Sequence, residues 1–323
     1  MVTWADRRQR RNGGWAFAWA VLRKYLDDDG PRQAALITYY GFLSLFPLLL
    51  LGVAVVSRVL EASPDLRHRL IVAIVPAALQ DTVDSAAALL PTSPVAFVLG
   101  AAGLLYSATG VVFAAYRTVN HLAAVPVREL PGIVGCYLRV GAALLLLLAG
   151  VICAGGLTVL VSAIPGIAGV SASDRILAVF GTLGTAFLVL LLGARVLLCR
   201  PASWRSLWPA AVSGAAILTL ILHAGGPLLT YLVRKAGPVY GAFATVAGLF
   251  TLLYLASQAM VICAEMAAVR HAHLWPRSLD PAHPTDADAR ALALLAREQE
   301  RVPLQRITSE LRKDPDQEQK DPD

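Results

Sequence analysis

Six stretches of this chain run for 19 to 34 residues without one charged side chain: 34–56, 95–116, 140–173, 176–194, 206–233 and 236–264. A hydrocarbon core of about 30 Å takes about 20 apolar residues at helical rise, and only a helix satisfies its own backbone over that distance. The expected fold is therefore all-α, a polytopic membrane protein of six transmembrane helices. The spans fall at about 34–56, 95–116, 140–162, 176–197, 208–233 and 239–266. A composition of 57% hydrophobic and 15% charged residues agrees, as does a mean hydropathy of +0.61, both outside the usual range of a soluble domain.

The net charge of +6 would suit nucleic acid if the basic residues clustered on one folded surface, but they are distributed by loop. Fifteen Lys and Arg fall before span one, in the second and fourth loops and, as Arg270 and Arg277, just after span six, against six in the first, third and fifth loops. The positive-inside rule then places both termini in the cytoplasm, as an even span number requires. No nucleic-acid partner is expected; membrane lipids are, anionic ones included.

Three expectations concern the parts outside the spans. Residues 1–32 form a basic cytoplasmic N-terminus, in which Trp15, Trp19, Leu22 and Leu26 share one helical face and Arg23 and Lys24 another. That is the pattern of an amphipathic helix in the headgroup layer, and without a small-residue cleavage site it does not read as a secretory signal. Leu66 to Gln80 is apolar but half a membrane long and broken at Pro76, which suggests an external re-entrant or interfacial segment. Residues 33–272 form the six-helix domain, and 273–323 a cytoplasmic, largely disordered tail with one helix from about Asp286 to Glu300 capped by Thr285.

Cys136, Cys153, Cys199 and Cys263 show neither disulfide nor zinc spacing and read as small core residues. No P-loop, HExxH or GxSxG motif is present, and His271, His273, His283, Asp286 and Asp288 lie in a juxtamembrane stretch with no clustered carboxylates for metals. The chain is therefore expected to be no enzyme and to need no cofactor or metal.

Asp29, followed by Ala34-Ala35-Leu36-Ile37-Thr38-Tyr39-Tyr40-Gly41-Phe42-Leu43-Ser44-Leu45-Phe46-Pro47, resembles the first-span signature of the YihY/BrkB family of bacterial inner-membrane proteins. Ser107-Ala108-Thr109-Gly110 leading to Arg117 and Asn120, Trp208 through Gly214-Ala215, Tyr240-Gly241-Ala242-Phe243 and Ala264-Glu265 extend the likeness over roughly residues 20 to 272. The resemblance implies a six-helix protein of the bacterial plasma membrane, described in that family as a virulence-associated factor, a transporter and, in older usage, a ribonuclease.

The polar residues tolerated inside the spans are the candidates for function. Glu265 sits in the last span, one and a half turns before Arg270, and an acid at that depth needs a partner. Arg117, Arg139 and Arg195 at the cytoplasmic helix ends suit an anionic headgroup if they converge, because guanidinium forks bind phosphate bidentately; topology alone also places arginines there. Tyr39, Tyr40 and Ser44, with Pro47 opening the helix backbone, can line a path or simply bond to the backbone and to neighbouring helices. Gln258 and His223 read as helix–helix hydrogen bonds. Gly225-Gly226-Pro227 marks either a discontinuous helix or a tolerated kink.

Two functions compete. One is a transporter of an amphiphilic or anionic substrate, lipid included, gated or charge-balanced by Glu265. The other is a non-transporting membrane scaffold for envelope-assembly proteins, which should lose its partners when the tail is deleted.

Overall fold

The computed structural model describes residues 6, 9, 12–59, 94–163, 172–200, 202–280 and 282–311. Among them are eight α-helices and no strand: α1 (Gly13–Asp27), α2 (Gly30–Val59), α3 (Pro94–Leu122), α4 (Ile133–Ala163), α5 (Ala172–Leu197), α6 (Trp204–Tyr240), α7 (Ala242–Ala272) and α8 (Asp286–Glu298), with a short 3-10 turn at Val127–Glu129. Six of the helices carry the charge-free runs. Five of these, α3 to α7, contain segments long and apolar enough to cross a bilayer among the described residues. The helices overrun the charge-free runs by a turn or more at several ends, because a charged residue at the membrane surface continues a helix as readily as an apolar one.

α7 is the hub, packing against α1, α2, α3 and α6, while α2 pairs with α3, α4 with α5, and α5 with α6. Gly241 alone separates α6 from α7. Its φ of +55° is a left-handed conformation that glycine adopts without a Cβ penalty, so the chain reverses there and the last span begins at Ala242 rather than at about 239. Gly110 lets α3 approach α2 closely: a Cβ there would stand 2.6 Å from the Tyr40 ring. Large apolar side chains such as Val98, Leu105, Leu138, Leu145, Ile152 and Leu220 are exposed on the outside of the bundle, the arrangement expected when hydrocarbon is the solvent.

α1, the start of α2, the C-terminal ends of α3, α5 and α7, and α8 gather at one end of the bundle, the terminal end. Here the chain departs from the expected disordered tail. Residues 273–311 fold back onto the bundle: Leu274 and Ala291 are buried with Ala20, Val21 and Val269, and Phe17 meets Trp275 edge-to-face at 5.4 Å. An Ala and Leu stripe on α8 and an apolar Leu274-Trp275 pair just past α7 supply the burial that a solvated tail lacks. α8 begins at the expected Thr285, which forms a capping box with Asp288, and stops at Glu298. The Arg312 to Asp323 segment lies outside the described residues, as does Leu66 to Gln80.

α6 runs unbroken through Gly225-Gly226-Pro227, so of the two readings offered there the discontinuous helix falls away. Two other expectations are corrected. Cys153 is exposed on α4 rather than packed in the core. His223 hydrogen-bonds the Thr219 carbonyl of its own helix at 2.9 Å rather than a neighbouring helix.

Candidate functional site

Glu265 lies on α7 within the Phe243–Ala272 span and is fully buried. Its counter-charge is Lys24 of α1, at 3.0 Å from Oε2. This corrects two readings, since none of the three candidate arginines pairs with the acid and Lys24 does not face water. α1 exposes Trp15, Leu22 and Leu26 and buries Ala16, Ala20, Val21, Lys24 and Tyr25, so the small-residue side packs on the bundle, while half-buried Trp19 donates to the Ser278 carbonyl at 3.4 Å. The corner after α1 fixes this orientation: Asp29 takes a left-handed φ of 53°, and Gly30 lies under the Tyr25 ring where any Cβ would overlap it.

Three partners surround the Lys24 ammonium: the Asp28 carboxylate Oδ2, the Leu122 carbonyl at the end of α3 (2.8 Å) and Glu265. Burial opposes the charge on Lys24, but Glu265 and Asp28 beside it outweigh that effect and hold its pKa above the ordinary lysine value. Burial also pushes the Asp28 carboxyl above the ordinary aspartate value, which Lys24 only partly reverses. The Lys24–Glu265 approach is an ion pair without hydrogen-bond alignment. Neither Glu265 oxygen accepts a hydrogen bond, and Asp28 Oδ1 is likewise buried and unpartnered.

A second layer holds this cluster shut. His121 of α3 bridges the Asp28 carbonyl (Nε2, 3.2 Å) and the Glu298 carboxylate of α8 (Nδ1, 2.5 Å). Arg277, almost fully buried, joins Asp27 of α1 at 2.7 Å to Asp288 of α8 at 2.9 Å. Tyr25 donates to Gln258 Oε1, tying α1 to α7 across helices as expected of a buried amide. The recess between Lys24, Asp28, His121, Leu274, Arg277 and Ala291 has room for about one water molecule. The terminal end is closed by α1 and α8.

The remaining candidates are placed apart from the cluster. Arg139 donates to the carbonyls of Val196 (3.0 Å) and Leu198 (2.9 Å), capping the end of α5. Arg195 stacks on Trp204 at 4.4 Å, and Arg117 lies over Phe113 at 5.2 Å. Arg117 and Arg195 are exposed while Arg139 is spent on carbonyls, and no contact joins the three among the described residues. Tyr39 and Tyr40 meet edge-to-face at 5.2 Å, Ser44 bonds back to the Gly41 carbonyl at 2.6 Å, and Pro47 stays within the continuous α2 beside Gly103. Tyr40 and Pro47 meet α3 at Gly110 and Gly103.

Asp28, His121 and Glu298 carry no site signal of their own in the sequence, and Lys24 reads there only as part of the polar face of an amphipathic helix. The signal available was the four-residue spacing Ala16, Ala20, Lys24, Asp28, which sets two small residues and an i,i+4 ion pair on one face. Asn120 was noted only as part of a motif, yet it is buried and organises the end of α5, donating to Leu197 O (2.9 Å) and accepting from Cys199 N–H (2.9 Å). No group of three or more metal-ligating side chains occurs among the described residues. Asp288 is engaged by Thr285 and Arg277, and His283 by Asp280 at 3.1 Å.

Long apolar helices around a buried ionised cluster define a helical integral membrane protein. The model of the family described as Virulence factor BrkB matches residues 21–287, and the chain belongs to that family. The match takes in Lys24 and Glu265 and runs past the last span into the start of α8, so the docked segment after α7 is part of the family's domain. No curated protein and no solved structure matches the chain.

Proposed function

We propose that this protein is a transporter of the bacterial plasma membrane, with six spans and both termini in the cytoplasm, that moves an amphiphilic or anionic substrate such as a phospholipid. α2 is the sixth span, since it carries the charge-free run 34–56. One observation carries the reading: the buried acid of a transmembrane helix is neutralised by a peripheral amphipathic helix rather than by another span. A pair that merely glues spans joins two of them. A pair between a span and a surface helix forms a closure whose release opens Glu265 and the α2–α3–α7 seam to the cytoplasm.

Arg117 and Arg195, exposed at helix ends and backed by Phe113 and Trp204, are placed to hold headgroup phosphates at the bilayer surface. Tyr40 lies against Gly110 of α3, with Tyr39 and Ser44 close to it on α2. The test is exchange of a labelled anionic phospholipid between leaflets of proteoliposomes, with Glu265→Gln as the comparison. Exchange that is lost in the variant at equal reconstitution supports transport; no exchange by well-folded wild-type protein removes lipid as the cargo.

The folded tail favours the second reading, a scaffold for envelope-assembly proteins, because α1, α8 and residues 299–311 present a preorganised surface at the terminal end. Deleting the tail does not separate the two readings, since α8 supports α1 through Arg277 and His121. Substitutions on the exposed face of α8, such as Leu292→Glu, leave the closure intact and should abolish partner binding only in a scaffold.

A further inference from the structure

We propose that the Lys24–Asp28–Glu265 cluster binds one proton, shared between the two carboxyl groups, and that a proton is the ion linked to release of α1. This rests on reading the cluster as a closure and names the ion that regulates it.

The inference begins with charge. The inner cluster holds one ammonium and two carboxylates, all buried: Lys24 at 6%, Asp28 at 3% and Glu265 at 0% exposure. The groups around it are already balanced. His121 of α3 turns Nε2 to the Asp28 carbonyl and Nδ1 to the Glu298 carboxylate, so any charge on the ring is answered by Glu298. Arg277, from the segment after α7, and Arg23 of α1 answer Asp27 of α1 and Asp288 of α8. Tyr25 of α1 is committed to Gln258, α2 presents Ala34 and Ile37, and Tyr254 and Ala264 of α7 complete the apolar wall. No neighbouring cation is left over for the second carboxylate.

Hydrogen bonding points the same way. Lys24 gives hydrogen bonds to Asp28 and the Leu122 carbonyl and meets Glu265 only as a charge. Both Glu265 oxygens and Oδ1 of Asp28 are buried without a hydrogen-bond partner, and the recess beside Lys24 and Asp28 has room for about one water. A buried carboxylate with neither counter-ion nor donor is unstable, and a proton corrects both deficits: it cancels the charge and converts an orphan acceptor to a donor. A sodium ion needs several oxygens and would sit beside an ammonium, so the proton fits better.

In the closed state the proton is held on the carboxyl pair. When it leaves to the cytoplasmic water, two carboxylates compete for Lys24, Glu265 gains a full negative charge, and hydrating that charge favours undocking of α1.

The test is infrared spectroscopy of the whole protein in lipid nanodiscs, reading the C=O stretch of protonated carboxylic acids. Wild type at neutral pH should show one acid equivalent that disappears in Glu265→Gln and equally in Asp28→Asn, because either change leaves one carboxylate balanced by Lys24. Lys24→Met should gain a second equivalent, which distinguishes a charge-balanced site from a merely structural one. If Glu265→Gln does not fold, Asp28→Asn and the wild-type band carry the test. A wild type with no acid band, or a band that survives in both carboxyl variants, overturns the proposal. A band that appears only when sodium is omitted overturns it in favour of a sodium site. The proton band is independent of flux: a band without lipid exchange defeats only the transport reading, and exchange without the band defeats only the proton.

Discussion

Lys24 is the central cation of the buried cluster at the terminal end, because removing it leaves the remaining carboxylate charge of Asp28 and Glu265 buried with no counter-ion. Losing one partner of a buried pair costs about 3–5 kcal/mol. Lys24→Met should therefore lower the thermal midpoint of detergent-solubilised protein far more than Glu265→Gln, which keeps the Lys24–Asp28 pair and should cost about 1 kcal/mol. Equal effects of the two would mean that the ammonium is not the centre of the cluster. The sequence made the need legible but not the partner: an acid in a span asks for a cation, and arginines stood at three nearby helix ends. Lys24 adjoins Arg23 in sequence, yet only Lys24 falls on the Ala16–Ala20 face. The right choice requires knowing that the small side of α1 docks, where Ala20 and Val21 pack with Val269 of α7.

At the scale of elements, the helix ends are held by side chains reaching across the bundle. Asn120 on α3 fixes the end of α5, and Asn120→Ala leaves the Leu197 carbonyl and the Cys199 amide without that partner. A loss of about 1–3 kcal/mol is expected, with faster hydrogen exchange confined to residues 196–200; uniform exchange changes would contradict a local role. α8 is held by Asp288. Burial raises this carboxyl, but hydrogen bonds from Ser278, Thr285 and Arg277 outweigh it and keep the pKa below the ordinary aspartate value. A depressed carboxyl stabilises fully above its unfolded pKa of about 4 and loses that contribution as pH falls through the lower folded value. Proteolysis within α8 should thus be flat from neutral pH to about 4 and rise below it, and Asp288→Asn should be susceptible throughout. The capped start of α8 was legible because Thr285 and Asp288 carry a local signal; its docking was not, because that depends on Leu274 and Trp275 meeting α1.

For the whole molecule, charge-free runs fix where the helices lie, since hydrocarbon penalises any other arrangement, and that physics acts on each segment separately. The Lys24–Glu265 pair was less visible because its residues stand 241 positions apart in sequence and meet through the folding of both termini onto one end. The central claim is that α1 must separate from α7 for substrate to move. Ala20 and Val269 are fully buried in one cluster between these helices. With the four native cysteines replaced, Ala20→Cys and Val269→Cys allow oxidation to fasten α1 to α7 in proteoliposomes carrying labelled anionic phospholipid. Leaflet exchange that stops on oxidation and returns on reduction is the expected result; exchange that continues unchanged in the cross-linked protein would show that α1 is no gate.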